Sequence, residues 1–508
     1  MKLEQLSVAA HASMLQGKEG LEITGVCYDS RVVKKGDLFA ALPGVKSDGS
    51  EFARQAAERG AAAILSEKNE ALTHLPQLVV KDARLGLALA AQAFYGYADR
   101  KMKMIAVTGT NGKSTTAYLI RHLMKSAGKK CGMLGTIEYD MGSQAIEAPL
   151  TTPESVDLHR YLRTMVDAGC SACVMETSSH SLCQHRVAGI DFAAGIFTNL
   201  TQDHLDYHRT MEDYRDAKGI LFRNLFSNAT AVLNLDDATS AYYAKHTPAK
   251  VLGFALNDPP KFPLPGKQGA ELVGRIRGMD IRGTRFQLDT PWGKRQIQWG
   301  LVGAHNVQNC LGAVAAVLSL GLPFDAVCDG LATFQGVPGR LESVGDEYRD
   351  LPFRILVDYA HTDDALRSVM RALRELKPSR LISVFGCGGD RDRTKRPKMA
   401  KAVEEMADLG IITSDNPRTE DPQAIISDIW KGITQEHKFL VNADRSKAID
   451  LAIKEARPGD VVLIAGKGHE NYQIFGKEKR HFSDVEEASA ALQRRFGAPG
   501  MRGAAAGA

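Results

Sequence analysis

The sequence predicts an α/β protein built in three parts. These are a small N-terminal α/β domain over residues 1–100, a central P-loop-type domain over 101–336 and a C-terminal Rossmann-like, doubly wound domain over 337–496. A tail, 497–508, is expected to be disordered. Three observations carry this reading. The apolar run Ile105-Ala106-Val107 ends in a glycine turn, Gly109 to Ser114, and Ala117, Ile120, Leu123, Met124 and Ala127 then recur near helical spacing. Strand and helix signals alternate around that turn. From residue 337 onward, successive apolar runs each end in a polar or glycine-rich cluster.

The 508 residues leave room for about two to four domains, and 44% hydrophobic content supports sizeable cores. The net charge of +4, from 64 basic and 60 acidic residues, gives no argument for nucleic-acid or membrane binding, so no nucleic-acid partner is expected. Met1 to Gln5 lacks the apolar core of a signal peptide. The stretch Cys310 to Leu322 is interrupted and too short to span a bilayer, so no membrane insertion is expected. The expectation is a soluble cytosolic protein acting as a monomer. Eight cysteines show no disulfide framework. Cys170 and Cys173 form a lone C-x-x-C; two buried strand thiols are favoured over a redox or metal pair, because no second pair has ligand spacing.

In the N-terminal domain, Gly25 to Arg31 and Gly36 to Leu42 read as short strands, Phe52 to Arg59 as a helix, and Ala61 to Leu65 and Leu78 to Val80 as further strands. Pro43 to Gly49 reads as a loop.

The central turn carries the clearest chemistry. Strand, glycine loop and helix together present backbone N–H groups to an anion. Lys113 can reach the terminal phosphates of a nucleotide, and the Ser114 hydroxyl can hold Mg²⁺. The full P-loop pattern wants glycine at position 107, where Val107 stands, so only G-x-x-G-K-S is present. A glycine turn with an exposed lysine is the bland alternative, and the flanking strand and helix argue against it.

Four polar clusters follow in this domain: Thr151 to Glu154, Glu176 to His180, Thr198 to His208 and Asn234 to Asp237. Ligands in open α/β sheets bind outside the strand ends, so these clusters are expected to converge beside the loop. Glu176, ending Ala172 to Met175, can hold Mg²⁺; strand-end capping is the alternative. His204 and His208 stand at i, i+4 without the H-E-x-x-H pattern, which gives zinc little support.

In the C-terminal domain, strands are expected over Arg354 to Val357, Leu381 to Phe385, Leu409 to Thr413 and Val461 to Ala465. They lead into Asp358 to His361, Gly386 to Arg393, Ser414 to Arg418 and Gly466 to Glu470, which places a second site at the strand ends. The glycines at 386–389 do not form G-x-G-x-x-G.

Taken in order, T-G-T-N-G-K-S, M-E-T-S-S-H, F-T-N-L-x-x-D-H-L-D-Y-H, V-D-Y-A-H-T, G-x-G-G-D-R-D and G-K-G-H-E resemble the motifs of the Mur ligase family. These ATP-dependent enzymes add amino acids to peptidoglycan precursors. The similarity runs from about residue 20 to 490, and the family's own short loop accounts for Val107. Asp415-Asn416-Pro417-Arg418 resembles the signature of the branch that adds meso-diaminopimelate to UDP-N-acetylmuramoyl-L-alanyl-D-glutamate.

The resemblance implies ATP and Mg²⁺ as cofactors and a site spread over three domains. Tyr28, Ser30, Val45, Lys46 and Ser47 should lie along the UDP-sugar, and Thr151, Thr152, Ser178, Gln184 and Arg186 should hold the sugar-peptide. Gly109, Thr110, Asn111, Gly112, Lys113, Ser114 and Thr115 should cradle the ATP phosphates, with Asn306, Arg340 and Asp358 touching adenosine or phosphate. Arg391, Asp415, Asn416, Pro417, Arg418, Gly466 and Glu470 should bind the incoming diamino acid. Lys113, Glu176, His204 and Lys218 form the implied catalytic set, with Ser114, Glu176, His204 and carbamylated Lys218 around metal. An ammonium beside Mg²⁺ would be repelled by about 4 kcal/mol at roughly 4 Å and an effective dielectric of about 20. A carbamate reverses that sign; a lysine bound directly to phosphate is the alternative. The rival readings are a lysine-adding synthetase, a folylpolyglutamate synthetase-like ligase and an inactive nucleotide-binding regulator.

Overall fold

The computed structural model describes residues 1–15, 20–44, 48–265, 269–280, 283–348 and 350–498. Val45, Lys46 and Ser47, and the tail from residue 499, lie outside the described residues. The chain divides into two compact units. One comprises Met1–Arg275, Gln287–Arg295 and Val307–Leu331, and the other contains Ile276–Phe286, Gln296–Asn306 and the chain from Ala332 onward.

The first unit begins with a five-stranded sheet in the order Ser13–Leu15, Gln77–Val79, Ala63–Ser66, Asp37–Ala40, Gly25–Cys27. Its pairs are parallel except the first. The expected strand over Gly25 to Arg31 stops at Cys27. Asp29 accepts hydrogen bonds from the backbone N–H (3.0 Å) and guanidinium of Arg31, and this local turn replaces strand pairing. The apolar face of the helix Ala83–Phe94, with Leu87, Ala90 and Ala91 buried, joins Leu38, Leu65 and Leu78 in one core.

The same unit carries the parallel heart of an eleven-stranded sheet. Its order there is Cys131–Leu134, Ala172–Glu176, Lys103–Thr108, Phe192–Phe197, Thr230–Asn234, Lys250–Ala255. Lys103–Thr108 is buried beyond its first residue, as a strand covered on both faces must be. Its neighbours, Ala172–Glu176 and Phe192–Phe197, are reached by different crossovers, so the strand order turns at this point. Cys173 is buried in its strand, but Cys170 is buried in the turn before it, where Gly169 ends the preceding helix with a positive φ.

The second unit holds a six-stranded sheet. Glu342–Val344 pairs antiparallel with Arg354–Asp358, and Val461–Ala465, Leu381–Phe385, Leu409–Ile412 and Phe439–Val441 continue in parallel. Side chains alternate between two cores with period two. Leu356 and Leu463 pack with Leu366, Met370 and Met399 on one face, whereas Ile355, Val357, Val462 and Ile464 pack with Ile449, Ile453 and Leu492 on the other. Helices therefore cover both faces, as expected for a doubly wound sheet. Among the described residues no helix is long and apolar enough to cross a membrane.

Candidate active site

In the first unit the phosphate loop follows Lys103–Thr108 directly and opens the helix Lys113–Ser126. Gly112 precedes the helix at φ 83°, and a Cβ there would lie 2.2 Å from Asn309 Oδ1, so the turn needs glycine on both counts. The loop is braced from neighbouring strand ends. Asn199 Oδ1 accepts from Asn111 N (2.9 Å), Thr198 Oγ1 donates to Asn111 O (2.6 Å), and Asn234 Nδ2 donates to Thr198 O (2.6 Å). Two of the four polar clusters thus meet at the loop or just behind it, and a third reaches the strand that feeds it, where Thr108 Oγ1 donates to Thr177 O at 2.8 Å. Thr198 and Asn199 belong to a polar cluster expected beside the loop, whereas nothing in the sequence marks Asn309; each meets the loop across about 90 or more positions of chain.

Two lysines converge on one carbonyl. Lys113 Nζ donates to Gly109 O (3.0 Å) and Thr110 O (2.8 Å), while Lys218 Nζ donates to the same Gly109 O at 2.9 Å. Lys218 is only 1% exposed and stands 4.3 Å over the Tyr214 ring. Burial, then the charge of Lys113, pushes its pKa well below the usual lysine range. Among the described residues no carboxylate forms an ion pair with it.

Glu176 ends its strand opposite Val107 and is buried. Thr136 fixes both carboxylate oxygens, donating from its N–H at 2.9 Å and from Oγ1 at 3.0 Å. Each oxygen retains further lone pairs. His204 has φ 53° and packs edge-on against His180, 5.0 Å between centroids, and against Tyr214, 6.1 Å away. His208 turns elsewhere: its buried ring Nε2 pairs with Ser179 Oγ at 2.8 Å. Burial, followed by the neighbouring His180, Lys218 and His204, lowers its pKa.

The residues assigned to the sugar-peptide form a connected network. Thr152 Oγ1 donates to Glu176 O (2.9 Å) and accepts from Ser178 N (3.2 Å). Arg186 donates to Thr152 O (3.0 Å) and to Gln184 Oε1 (2.6 Å), and pairs with Glu154 at 2.9 Å. Thr151 Oγ1 lies 3.2 Å from Thr136 Oγ1, which can accept its proton while donating its own to Glu176. The Thr151 to Glu154 cluster leads into the helix Ser155–Asp167 rather than following a parallel strand, yet Thr152 still brings it to Glu176. In the N-terminal sheet domain, Tyr28 OH donates to Asp157 (2.9 Å) and Ser30 Oγ to Gln55 (2.7 Å).

In the second unit, Asp358 is buried at a strand end and accepts from Leu341 N (2.9 Å) and Ala360 N (2.8 Å). Burial raises its pKa, opposed chiefly by Arg340, whose guanidinium lies 5.3 Å over the Tyr359 ring. Asn306 Nδ2 donates to Val302 O (2.8 Å), and Asn306 lines a cavity of about 1000 Å³ with Phe334, Val337 and Ser343.

The residues expected to bind the diamino acid cluster at the ends of three strands. Asn416 donates to Glu470 (3.0 Å) and accepts from Ile474 N (3.0 Å) and from Lys467 Nζ (3.3 Å). Lys467 is buried and also pairs with Glu470 at 3.1 Å. Lys467 was not among the expected site residues, although it stands within the G-K-G-H-E motif. A Cβ at Gly466 would lie 2.7 Å from the Asp415 carboxylate, so that backbone and Asp415 are close neighbours. Arg418 has φ 52° and donates to Gly389 O at 2.8 Å. Among the described residues neither Arg418 nor Arg391 forms an ion pair. Arg391 is exposed and donates to Asp390 O at 3.2 Å.

Three family models match this chain: the Mur ligase family catalytic domain over residues 22–95, the Mur ligase middle domain over 107–317 and the Mur ligase glutamate ligase domain over 339–468. Similar curated proteins include a Bacillus velezensis protein, 42% identical over 97% of this chain and 99% of its own length, and a Nostoc protein, 45% identical over 93% and 95%. Both are named UDP-N-acetylmuramoyl-L-alanyl-D-glutamate–2,6-diaminopimelate ligase. A solved structure of that name is 34% identical, with a TM-score of 0.69 over 93% of this chain and 95% of its own. A MurF ligase from Thermotoga maritima in complex with ADP, 19% identical with a TM-score of 0.58 over 94% of this chain and all of that one, shares the fold. With three domain models in order along its length and relatives above 40% identity over nearly all of it, the chain belongs to the Mur ligase family.

Proposed function

We propose that the chain is an ATP-dependent ligase joining meso-diaminopimelate to the D-glutamate γ-carboxyl of UDP-N-acetylmuramoyl-L-alanyl-D-glutamate, acting as a cytoplasmic monomer in peptidoglycan precursor synthesis. The observation that carries this reading is the full-length similarity to relatives bearing that name, at 42–45% identity. Residues 1–100 bind the UDP-sugar, 101–336 bind ATP, and 337–496 bind the diamino acid. A carboxylate does not acylate an amine unaided. Phosphoryl transfer from ATP makes an acyl phosphate, the amine attacks its carbonyl carbon, and phosphate leaves the tetrahedral intermediate.

The chain's own groups suit those steps. Backbone N–H groups of the 109–115 loop and the helix N-terminus receive phosphate oxygens, and Lys113 turns from its loop carbonyls to the terminal phosphate. Thr152, Ser178, Gln184 and Arg186 orient the dipeptide beside Glu176. Asn306, Arg340 and Asp358 are assigned to adenosine and phosphate. Ser114 Oγ and the doubly braced Glu176 carboxylate are oxygen donors that fit a hard cation, and His204 is assigned to the same set. Mg²⁺ held there would neutralise phosphate charge.

Lys218 is read as a carbamate. Its buried amine favours the neutral, nucleophilic form, and addition of that nitrogen to CO₂ with loss of one proton creates an anion facing Lys113 and the cation site. Arg418 grips the far carboxylate of diaminopimelate through paired N–H donors. The test is ADP release on mixing enzyme, ATP, UDP-muramoyl-dipeptide and each of a panel of amino acids. Turnover with meso-diaminopimelate and none with lysine is expected; equal use of lysine would overturn the specificity.

A further inference from the structure

The buried guanidinium of Arg396 lies beneath the loops that carry Arg418. Arg396, on the helix Lys395–Met406, donates to both oxygens of Glu420, at 2.8 and 3.0 Å, to Asp428 at 3.0 Å and to Gly388 O at 3.4 Å. Glu420 also accepts from Asp390 N (2.6 Å) and Arg393 (2.8 Å). One carboxylate on the 415–420 loop is thereby tied to the 386–393 loop and to the helix behind both.

The same two loops touch again at the site itself. Gly389 N donates to Asn416 O (2.9 Å), and a Cβ at Gly389 would lie 1.9 Å from Pro417 O, so the backbones meet where no side chain fits. Asp390 accepts from Thr419 Oγ1 (2.7 Å) and N (3.2 Å). Gly389 O receives the Arg418 guanidinium. Asp390 and Arg418 both hold left-handed backbone conformations, at φ 54° and 52°, which non-glycine residues keep only when surroundings enforce them. Glu420 and its partners supply that enforcement.

We propose that Glu420, clamped by Arg396, is a positioning residue that presents the Arg418 guanidinium to the distal carboxylate of the diamino acid. This rests on reading Arg418 as that grip. Neither Glu420 nor Arg396 is assigned contact with substrate; they act by fixing Gly388 to Asp390, the segment against which Arg418 is oriented.

The test is steady-state kinetics on the full-length enzyme with each substrate varied in turn. Glu420→Gln keeps the side-chain size but loses the charge that holds two arginines. The Michaelis constant for meso-diaminopimelate should rise about tenfold, while kcat and the constants for ATP and UDP-muramoyl-dipeptide stay within about twofold. In an Arg418→Ala background, Glu420→Gln should add less than about twofold, because the residue it positions is gone. An unmoved diaminopimelate constant, an equal rise in all three constants, or full additivity with Arg418→Ala would overturn the proposal. If Arg418→Ala raises that constant and Glu420→Gln does not, the positioning role alone falls; if neither moves it, the reading of Arg418 falls too. Should Glu420→Gln fail to fold, Thr419→Val removes the exposed hydroxyl contact with Asp390. A rise of about threefold confined to diaminopimelate supports the proposal, and no rise overturns it.

Discussion

The phosphate loop and the diamino-acid pocket are built on opposite principles. As proposed, the loop receives phosphate through its backbone. Its shape comes from Gly109 to Gly112 between a buried strand and a helix, and its donors are N–H groups common to every sequence. The pocket proposed for the diamino acid is built from side chains. Asn416 and Arg418 follow one strand, Lys467 and Glu470 follow another, and the two ends are tied by contacts spanning tens of positions, such as Asn416 to Glu470. A backbone site is broken by changing its charge or its turn, whereas a side-chain site is tuned residue by residue.

If this contrast holds, removing a charge at the loop should be far more damaging than removing one at the pocket. Lys113→Ala should lower kcat by at least about 10³-fold in a protein with an unchanged circular dichroism spectrum, since phosphoryl transfer depends on positioned cations. Turnover near that of the unchanged enzyme would remove the loop from the chemistry.

Lys218→Ala should be nearly as inactive. Bicarbonate should not restore it, because the nucleophilic amine is missing, whereas a small carboxylic acid should restore part of the activity by supplying the anion. Native mass spectrometry at neutral pH should show a carbamate mass on the unaltered protein; a fully active, unmodified lysine would sharpen the comparison in the other direction, toward direct phosphate binding.

At the pocket the effect should be graded. Arg418→Ala should raise the diaminopimelate requirement at least about tenfold, from loss of a charge-assisted bond of roughly 1.5–3 kcal/mol. ATP and UDP-muramoyl-dipeptide requirements should barely change. The variant should not become an efficient lysine enzyme, since deleting a grip builds no new pocket.

The smallest effect concerns stability away from both sites. His159 is fully buried, neither ring nitrogen is hydrogen-bonded among the described residues, and burial pushes its pKa down to about 3. The unfolded chain therefore takes up this proton first as pH falls below about 6.5, and stability declines from there toward pH 3 by up to about 1.4 kcal/mol per unit. His159→Leu should flatten that part of the decline. Urea unfolding followed at pH 7, 6 and 5 measures it, and identical slopes in both proteins would contradict the assignment.

The local motifs of this protein could be read directly from its sequence because they satisfy local rules. The glycine turn after Ile105-Ala106-Val107 and the five-residue buried strands at Leu381–Phe385 and Val461–Ala465 need no distant partner to be recognised. Their order along the chain also placed the polar clusters at strand ends, the positions where parallel α/β sheets gather ligands. What only the tertiary structure decided are the environments of individual side chains. Lys218 meets Gly109 across 109 positions of sequence, His208 turns to Ser179 rather than sharing a ligand with His204, and Glu420 meets Arg396 beneath Arg418. Desolvation and hydrogen-bond pairing set those side chains' charge and orientation, and both depend on which distant segments the fold packs around them.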